Sequence, residues 1–209
     1  MPIDASVLRL CLVTDRGLAR GRPLMQIVDA AVRGGVTMVQ LREKAATTRA
    51  FLEEARALKS LLAPLGVPLI INDRLDIAMA VDADGVHVGQ TDLPVEVARR
   101  ILGPSKIVGL WISDSPQILR PETACADYLG IGPIYPQQTK EDADPTLGVE
   151  GFRRLRELTQ KPMLVIGGLN PDNSAPLLVA GADGVAVVSA IVSADEPGEA
   201  AKRFIRLYG

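Results

Sequence analysis

Several short apolar runs in this chain end in side chains suited to anions and a divalent cation. One is Gln40-Leu41-Arg42-Glu43-Lys44, where strand alternation turns Gln40 and Arg42 to the same side. Two cations and an amide at one strand end form a clamp for phosphate oxygens. The same stretch also reads as a solvated strand end with a Glu43–Lys44 pair. Two further runs end in Asn72-Asp73-Arg74 and Gly89-Gln90-Thr91-Asp92. Mg²⁺ is held by one or two carboxylates, with substrate phosphate oxygens and water completing its octahedron, and Asp73 with Asp92 would suit that use. Both also precede helical stretches, where Asp is favoured as a cap.

Later in the chain, the stretch from Gly132 through Gln137, Thr139 and Lys140 to Gly148 is long for a connection. Loops of that length in a small domain are functional or disordered. Thr139 and Lys140 could close over a phosphate there. The next runs end in Gly167-Gly168-Leu169-Asn170 and Ser189-Ala190-Ile191. The glycines let backbone N–H groups approach an anion closely. The single histidine, His87, lies inside a strand-like run, which excludes a paired-histidine mechanism and favours a barrel-lining role. No Cys/His cluster offers a zinc site. Together these ends imply a diphosphate on Mg²⁺ and a separate monophosphate, and they leave the organic parts unnamed.

The elements that must position these residues alternate. Strand-like runs fall at Leu8 to Thr14, Met38 to Leu41, Leu69 to Ile71, Gly85 to Val88, Ile107 to Ile112, Tyr128 to Ile131, Met163 to Ile166 and Val185 to Val188. Continuous apolar runs suit strands buried on both faces, as in parallel sheets. Between them, Ala50 to Leu62 sets Phe51, Ala55, Leu58 and Leu62 on one helical stripe, and Val95 to Leu102 and Phe152 to Leu158 are shorter helices. Val81 to Val88 recurs in pattern as Ala180 to Val187, each a helix end, a tight turn and an entering strand. Strand and helix alternating eight times predict a single-domain α/β fold, a (β/α)8 TIM barrel over residues 1–209, with chemistry on the loops after the strands. A doubly wound open sheet fits the same alternation.

Bulk properties narrow the function classes. Apolar residues make up 47% of the chain and aromatics 3%, so aliphatic side chains must pack the core. The formal charge of −2 leaves no footprint for nucleic acid. No stretch is long and apolar enough for a membrane span, and no secretory signal pattern opens the sequence, so a cytoplasmic location is expected. Cys11 and Cys125, each placed in an apolar strand-like run, read as buried free thiols. Small phosphorylated molecules are the expected partners. A homodimer through the outer helices is compatible with the fold, although no patch in the sequence identifies one.

The ordered motifs Val39 to Lys44, Ile71 to Asp76, Gly85 to Pro94 and Gly130 to Pro136 resemble the thiamine phosphate synthase (thiamine-phosphate pyrophosphorylase) family. Leu12 to Asp15, Ile166 to Gly168 and Gly184 to Ile191 match as well, so the similarity runs from about Leu10 to Ile191. The resemblance implies a transferase that joins a hydroxymethylpyrimidine diphosphate to a thiazole phosphate and releases pyrophosphate. By motif position, Asp73 and Asp92 resemble the Mg²⁺ ligands. Gln40, Arg42, Lys44, Asn72, Thr139 and Lys140 resemble the pyrophosphate and pyrimidine contacts, with Arg42, Lys44 and Lys140 stabilising the leaving group. Gly168 and the Ser189-Ala190 turn resemble the thiazole phosphate site. The family mechanism is dissociative, and the thiazole nitrogen captures a pyrimidine methylene cation.

Two departures stand out. Trp111 occupies the place of the serine in the family's Gly-Val-Ser, and Gln137 replaces the first of two threonines. Both positions belong to the implied substrate pocket, where Trp111 would either stack on the pyrimidine or fill its space. They support the alternative of a barrel that binds phosphorylated ligands without turnover. Thiazole tautomerases share the barrel but tend to lose the Arg-Glu-Lys and Asn-Asp motifs, which are intact here.

Overall fold

Eight parallel strands follow one another around a closed ring, with β1 pairing both β2 and β8. The computed structural model describes residues 3–136 and 145–209. The strands are β1 Leu10–Val13, β2 Met38–Leu41, β3 Leu69–Asn72, β4 Gly85–Val88, β5 Ile107–Ile112, β6 Tyr128–Ile131, β7 Met163–Ile166 and β8 Gly184–Val187. All eight expected runs are strands, with ends shifted by up to two residues. Closure of the ring rules out the open doubly wound sheet.

Helices on the outside include α1 Ala5–Leu8, α2 Leu24–Arg33, α3 Thr48–Leu62, α4 Leu75–Ala80 and α5 Val95–Leu102. The series continues with α6 Ser115–Ile118, α7 Gly148–Arg156, α8 Pro171–Val179, α9 Ser189–Val192 and α10 Pro197–Ile205. On α3 the buried residues are Phe51, Ala55, Leu58 and Leu62, the stripe its period predicts. The helix expected over Phe152 to Leu158 instead spans Gly148–Arg156, because the Leu147 carbonyl already accepts the Gly151 N–H at 3.0 Å. No helix of the described residues is long and apolar enough to cross a membrane.

Strand alternation divides the core into two layers. Leu10, Leu12, Val39, Leu41, Ile71 and Val86 point outward and pack against the helices. Cys11, Val13, Met38, Ile70, Tyr128, Leu164 and Ala186 point inward and fill the barrel with Leu8. Cys125 departs from expectation: it closes the 3₁₀ turn Pro121–Cys125 and is half-buried, while its carbonyl accepts from the Arg99 Nε at 3.1 Å. Proline at the turn's start and this side-chain bond hold the segment out of the sheet.

The sequence repeat has a physical purpose at the amino ends of the strands. Asp84, Asp127 and Asp183 each immediately precede an even-numbered strand. Their carboxylates accept the N–H of Leu69 at 2.9 Å, Val108 at 2.8 Å and Met163 at 2.8 Å, all on the preceding odd strand. Each is also paired with a cation from the helix that precedes that odd strand: Lys59 of α3 at 2.8 Å, Arg99 of α5, and Arg156 of α7 at 3.3 Å. Thr37 takes the same place before β2, with its hydroxyl accepting from Leu10 N–H at 2.9 Å. Four equivalent clasps therefore join β1–β2, β3–β4, β5–β6 and β7–β8 at the face opposite the carboxyl ends.

Candidate active site

The carboxyl ends of the strands surround a cavity of about 420 Å³. Of the expected residues, Gln40, Arg42, Lys44, Asn72, Asp73, Asp92 and Trp111 line it together. Their placement follows from the pleat. Gln40 on β2 turns inward and is 6% exposed, and Arg42 follows on the same side. The Arg42 N–H donates to the buried Thr14 hydroxyl at 3.0 Å, and its guanidinium lies 3.6 Å from Asp15.

Glu43, between the two cations, turns away from the cavity. Its side chain is 5% exposed and lies 3.5 Å from Arg16, whose guanidinium also meets Glu54 of α3 at 2.7 Å. The Glu43–Lys44 pair of a solvated strand end does not form. Lys44 reaches across to β3 instead and donates to Asp73 Oδ2 at 2.6 Å. Burial, reinforced by the nearby Glu43 charge and opposed by Arg16, holds the Glu54 carboxyl above the usual range.

Asp73 adopts a left-handed backbone, φ 63°, and its N–H donates to the His87 carbonyl at 2.8 Å. Asp92 accepts the Gly89 N–H at 2.8 Å. Neither acts as a helix cap: α4 is preceded by Arg74 and α5 by Pro94, neither with a side-chain capping bond. The two carboxylates interact with each other. Burial first, then the Asp73 side chain, pushes the Asp92 carboxyl above its ordinary value, and only Lys44 and the Gly89 N–H oppose this. Two facing carboxylates with one lysine between them suit a divalent cation. Among the described residues no group of three or more His, Cys, Asp or Glu side chains could hold a metal. Any Mg²⁺ here would therefore take further oxygens from a phosphorylated ligand and water.

Across the cavity, Trp111 projects inward from β5, and a Cβ on Gly132 would meet its ring at 3.1 Å. The Trp111 carbonyl accepts from Gln90, whose Oε1 accepts from Arg120 at 3.0 Å. Ser113 and Gln117 also line the wall. The Ser113 N–H donates to Gln117 Oε1 at 2.8 Å, and Gln117 Nε2 donates to Ser113 Oγ at 3.1 Å. No role was anticipated for Asp15, Gln90 or Gln117. Only their positions just after β1, β4 and β5 marked them.

At the opposite rim Gly167 and Val188 line the cavity, while Gly168, Ser189 and Ala190 do not. Gly167 has φ 106° and Gly168 φ 65°. A Cβ on Gly168 would lie 2.6 Å from the Pro136 carbonyl, so the chain there is held against the β6 loop. Ala190 lines a separate cavity of about 240 Å³ with Asn170, Asp172 and Arg203. The base of the β6 loop is fixed beside β7: Ile134 N–H donates to the Ile166 carbonyl at 2.9 Å, and Tyr135 N–H to that of Gly167 at 3.0 Å. Gln137, Thr139 and Lys140 lie outside the described residues.

His87, expected to line the barrel, does so from the inner face of β4 at 7% exposure. Its Nδ1 lies 3.0 Å from the Tyr128 hydroxyl, and the two rings stack with centroids 5.5 Å apart. Burial depresses the imidazole pKa to about 4, so it is neutral at physiological pH.

Comparison with known proteins agrees with this geometry. The family model for thiamine monophosphate synthase matches residues 10–191. A thiamine-phosphate synthase of Albidiferax ferrireducens is 50% identical over 205 residues, covering 98% of this chain and 94% of the relative. One from Syntrophomonas wolfei is 52% identical over 194 residues, covering 92% of this chain and 93% of the relative. The solved thiamine phosphate pyrophosphorylase from Pyrococcus furiosus superposes with a TM-score of 0.88 at 37% identity, over 97% of this chain and 96% of that one. The barrel and this continuous similarity show that the chain is a transferase belonging to the thiamine monophosphate synthase family.

Proposed function

We propose that the cavity condenses hydroxymethylpyrimidine diphosphate with thiazole phosphate, giving thiamine phosphate and pyrophosphate. The observation that carries this reading is a cavity lined by Arg42, Lys44 and the Asp73–Asp92 pair, with Lys44 bonded to Asp73 at 2.6 Å. A diphosphate needs such an arrangement: cations for its outer oxygens and carboxylates to hold the ion that bridges them.

The chain's own residues divide the work. Asp73 and Asp92 would hold Mg²⁺. When bound, Mg²⁺ neutralises negative charge on the departing pyrophosphate. Arg42, steered by Asp15 and the Thr14 hydroxyl, offers a forked donor to phosphate oxygens. Lys44, tethered to Asp73 in the free protein, is positioned to supply a second charge to the leaving group. Thr139 and Lys140, by the family resemblance, would contact the same phosphates. Asn72 and Gln40 face the pyrimidine, and Gln137 and Trp111 would contact the same ring. Gly168 and the Ser189-Ala190 turn would take the thiazole phosphate through backbone N–H groups.

In the dissociative route the carbon–oxygen bond to pyrophosphate breaks first. The thiazole nitrogen then donates its lone pair to the pyrimidine methylene carbon. That nitrogen carries no proton to remove, so no general base is required and a neutral, buried His87 is compatible with the reaction. A cavity walled by Trp111, Ile166 and Leu164 limits the access of water to the cation.

The test is an end-point assay of purified protein with Mg²⁺ and both phosphorylated substrates, reading thiamine phosphate as fluorescent thiochrome. Product that disappears with EDTA is the expected result. Absence of product while both substrates bind would favour a barrel that binds without turnover, and isomerisation of a thiazole carboxylate phosphate alone would favour a tautomerase.

A further inference from the structure

The carboxyl ends of β1 and β2 meet in two charge pairs, and only one of them faces the cavity. Strand pairing sets their positions. Val13 lies opposite Gln40, and Thr14 extends the ladder: its N–H donates to the Gln40 carbonyl at 2.9 Å, and its hydroxyl accepts the Arg42 N–H at 3.0 Å. Continued past the strands, that register brings Asp15 beside Arg42 at 3.6 Å and Arg16 beside Glu43 at 3.5 Å. Consecutive residues of an extended chain point to opposite sides. Asp15 and Arg42 accordingly line the cavity, while Arg16 and Glu43 turn toward α3.

On α3, Glu54 meets the same guanidinium at 2.7 Å. Two carboxylates thus share one arginine, and among the described residues neither pairs with another cation. The Glu43 and Glu54 side chains are 5% and 12% exposed, against 58% for Arg16. Glu54 Oε2 is buried and has no hydrogen-bond partner among the described residues. Covered carboxylates gathered on a single exposed cation are costly, and such departures from full pairing concentrate at functional sites.

Glu43 is the one anion between Arg42 and Lys44. Left at the rim, its carboxylate would compete for either cation and repel a diphosphate. We propose that Arg16, anchored by Glu54, is a positioning residue that sequesters Glu43 behind the end of β2, so that Arg42 and Lys44 keep their charge for the diphosphate. The proposal rests on the phosphate-clamp reading above, although Arg16, Glu43 and Glu54 themselves lie outside the cavity lining. Its distinguishing consequence is that Arg16 matters to phosphate binding only while Glu43 carries a charge.

Calorimetry of Mg²⁺–pyrophosphate binding tests this, with Tm confirming that each variant is folded. Arg16→Gln should bind about tenfold more weakly than the parent. Adding Glu43→Gln to that variant should return affinity to within about threefold of the parent, because no anion remains to compete. Arg20→Gln removes the same charge from the same connection, where Arg20 pairs with the exposed Asp195 at 3.6 Å, and should bind as the parent does. In turnover, Arg16→Gln should raise KM for the pyrimidine diphosphate and leave KM for thiazole phosphate unchanged. If Arg16→Gln is unfolded, Glu54→Ala, which removes the anchor, carries the test with an expected loss of about threefold. An unaltered affinity in folded Arg16→Gln would overturn the proposal, as would a double variant no better than Arg16→Gln or an equal loss in Arg20→Gln. Where Glu54→Ala carries the test, parent-like affinity overturns it. Failure of the clamp reading registers separately, as a parent that binds no Mg²⁺–pyrophosphate or an Arg42→Ala variant that binds it equally well.

Discussion

At the residue scale, His87 shows how burial governs behaviour that the side-chain type alone leaves open. Its folded pKa of about 4 lies below the ordinary 6.5, so the unfolded chain binds the proton more tightly. Stability due to this group is therefore complete above pH 6.5 and is lost as pH falls towards about 4. The shift corresponds to roughly 3 kcal/mol over that window. Denaturant unfolding at pH 7 and pH 4.5 should show this loss in the parent and a flatter profile in His87→Gln. Equal slopes would mean that other groups dominate. Arg42→Ala should weaken Mg²⁺–pyrophosphate binding about tenfold to a hundredfold by calorimetry, as expected for a charge-assisted bond, and an unaltered affinity would remove Arg42 from the clamp. Trp111→Ser should retain turnover, because aromatic stacking is worth only about 0.5–1.5 kcal/mol beyond burial. A collapse in turnover would show that the indole has a task of its own. Asp73, Asp92, Arg42 and Lys44 were legible because each follows an apolar run, where the parallel-sheet rule places chemistry. Lys44 bonding to Asp73 rather than Glu43 was not legible, because it depends on a contact between β2 and β3 ends 29 residues apart.

At the element scale, the repeated helix-turn-strand pattern was visible in the sequence, while its purpose was not. Asp84 and Asp183 stand at equivalent positions of the repeat, but nothing in a linear pattern shows that each carboxylate binds the preceding strand and a cation of the helix before that strand. The equivalence of Thr37 was hidden further by the change of residue type. Loss of one clasp leaves a strand N–H and a cation without their partner. Asp183→Ala should therefore cost about 2 kcal/mol, read as a lower Tm and denaturant midpoint, with the cavity's ligand affinity retained. An unchanged midpoint would mean that these bonds exchange with water at no cost. Strand positions were read well because inward and outward faces are both apolar, giving uninterrupted runs. Helix ends were read less well. The start of α7 at Gly148 is set by backbone bonds between the β6 loop and the helix, including Gly148 N–H to the Ile134 carbonyl at 2.9 Å, which leave no signature in apolar period.

At the scale of the whole molecule, the barrel separates stability from chemistry. The four clasps lie at the amino ends of the strands, and the cavity with its charged rim lies at the carboxyl ends. That division lets residues such as Trp111 vary without disturbing closure of the ring. In the proposed reaction the Asp73–Asp92 pair holds the metal, so the most direct measurement is the Mg²⁺ dependence of thiamine phosphate formation in the parent and in Asp92→Ala, with Tm confirming that the variant is folded. A folded variant that loses about 100-fold or more in turnover, or needs far higher Mg²⁺ to recover it, is the predicted result. Unchanged turnover at the same Mg²⁺ requirement would contradict the assignment of this carboxylate pair to the metal.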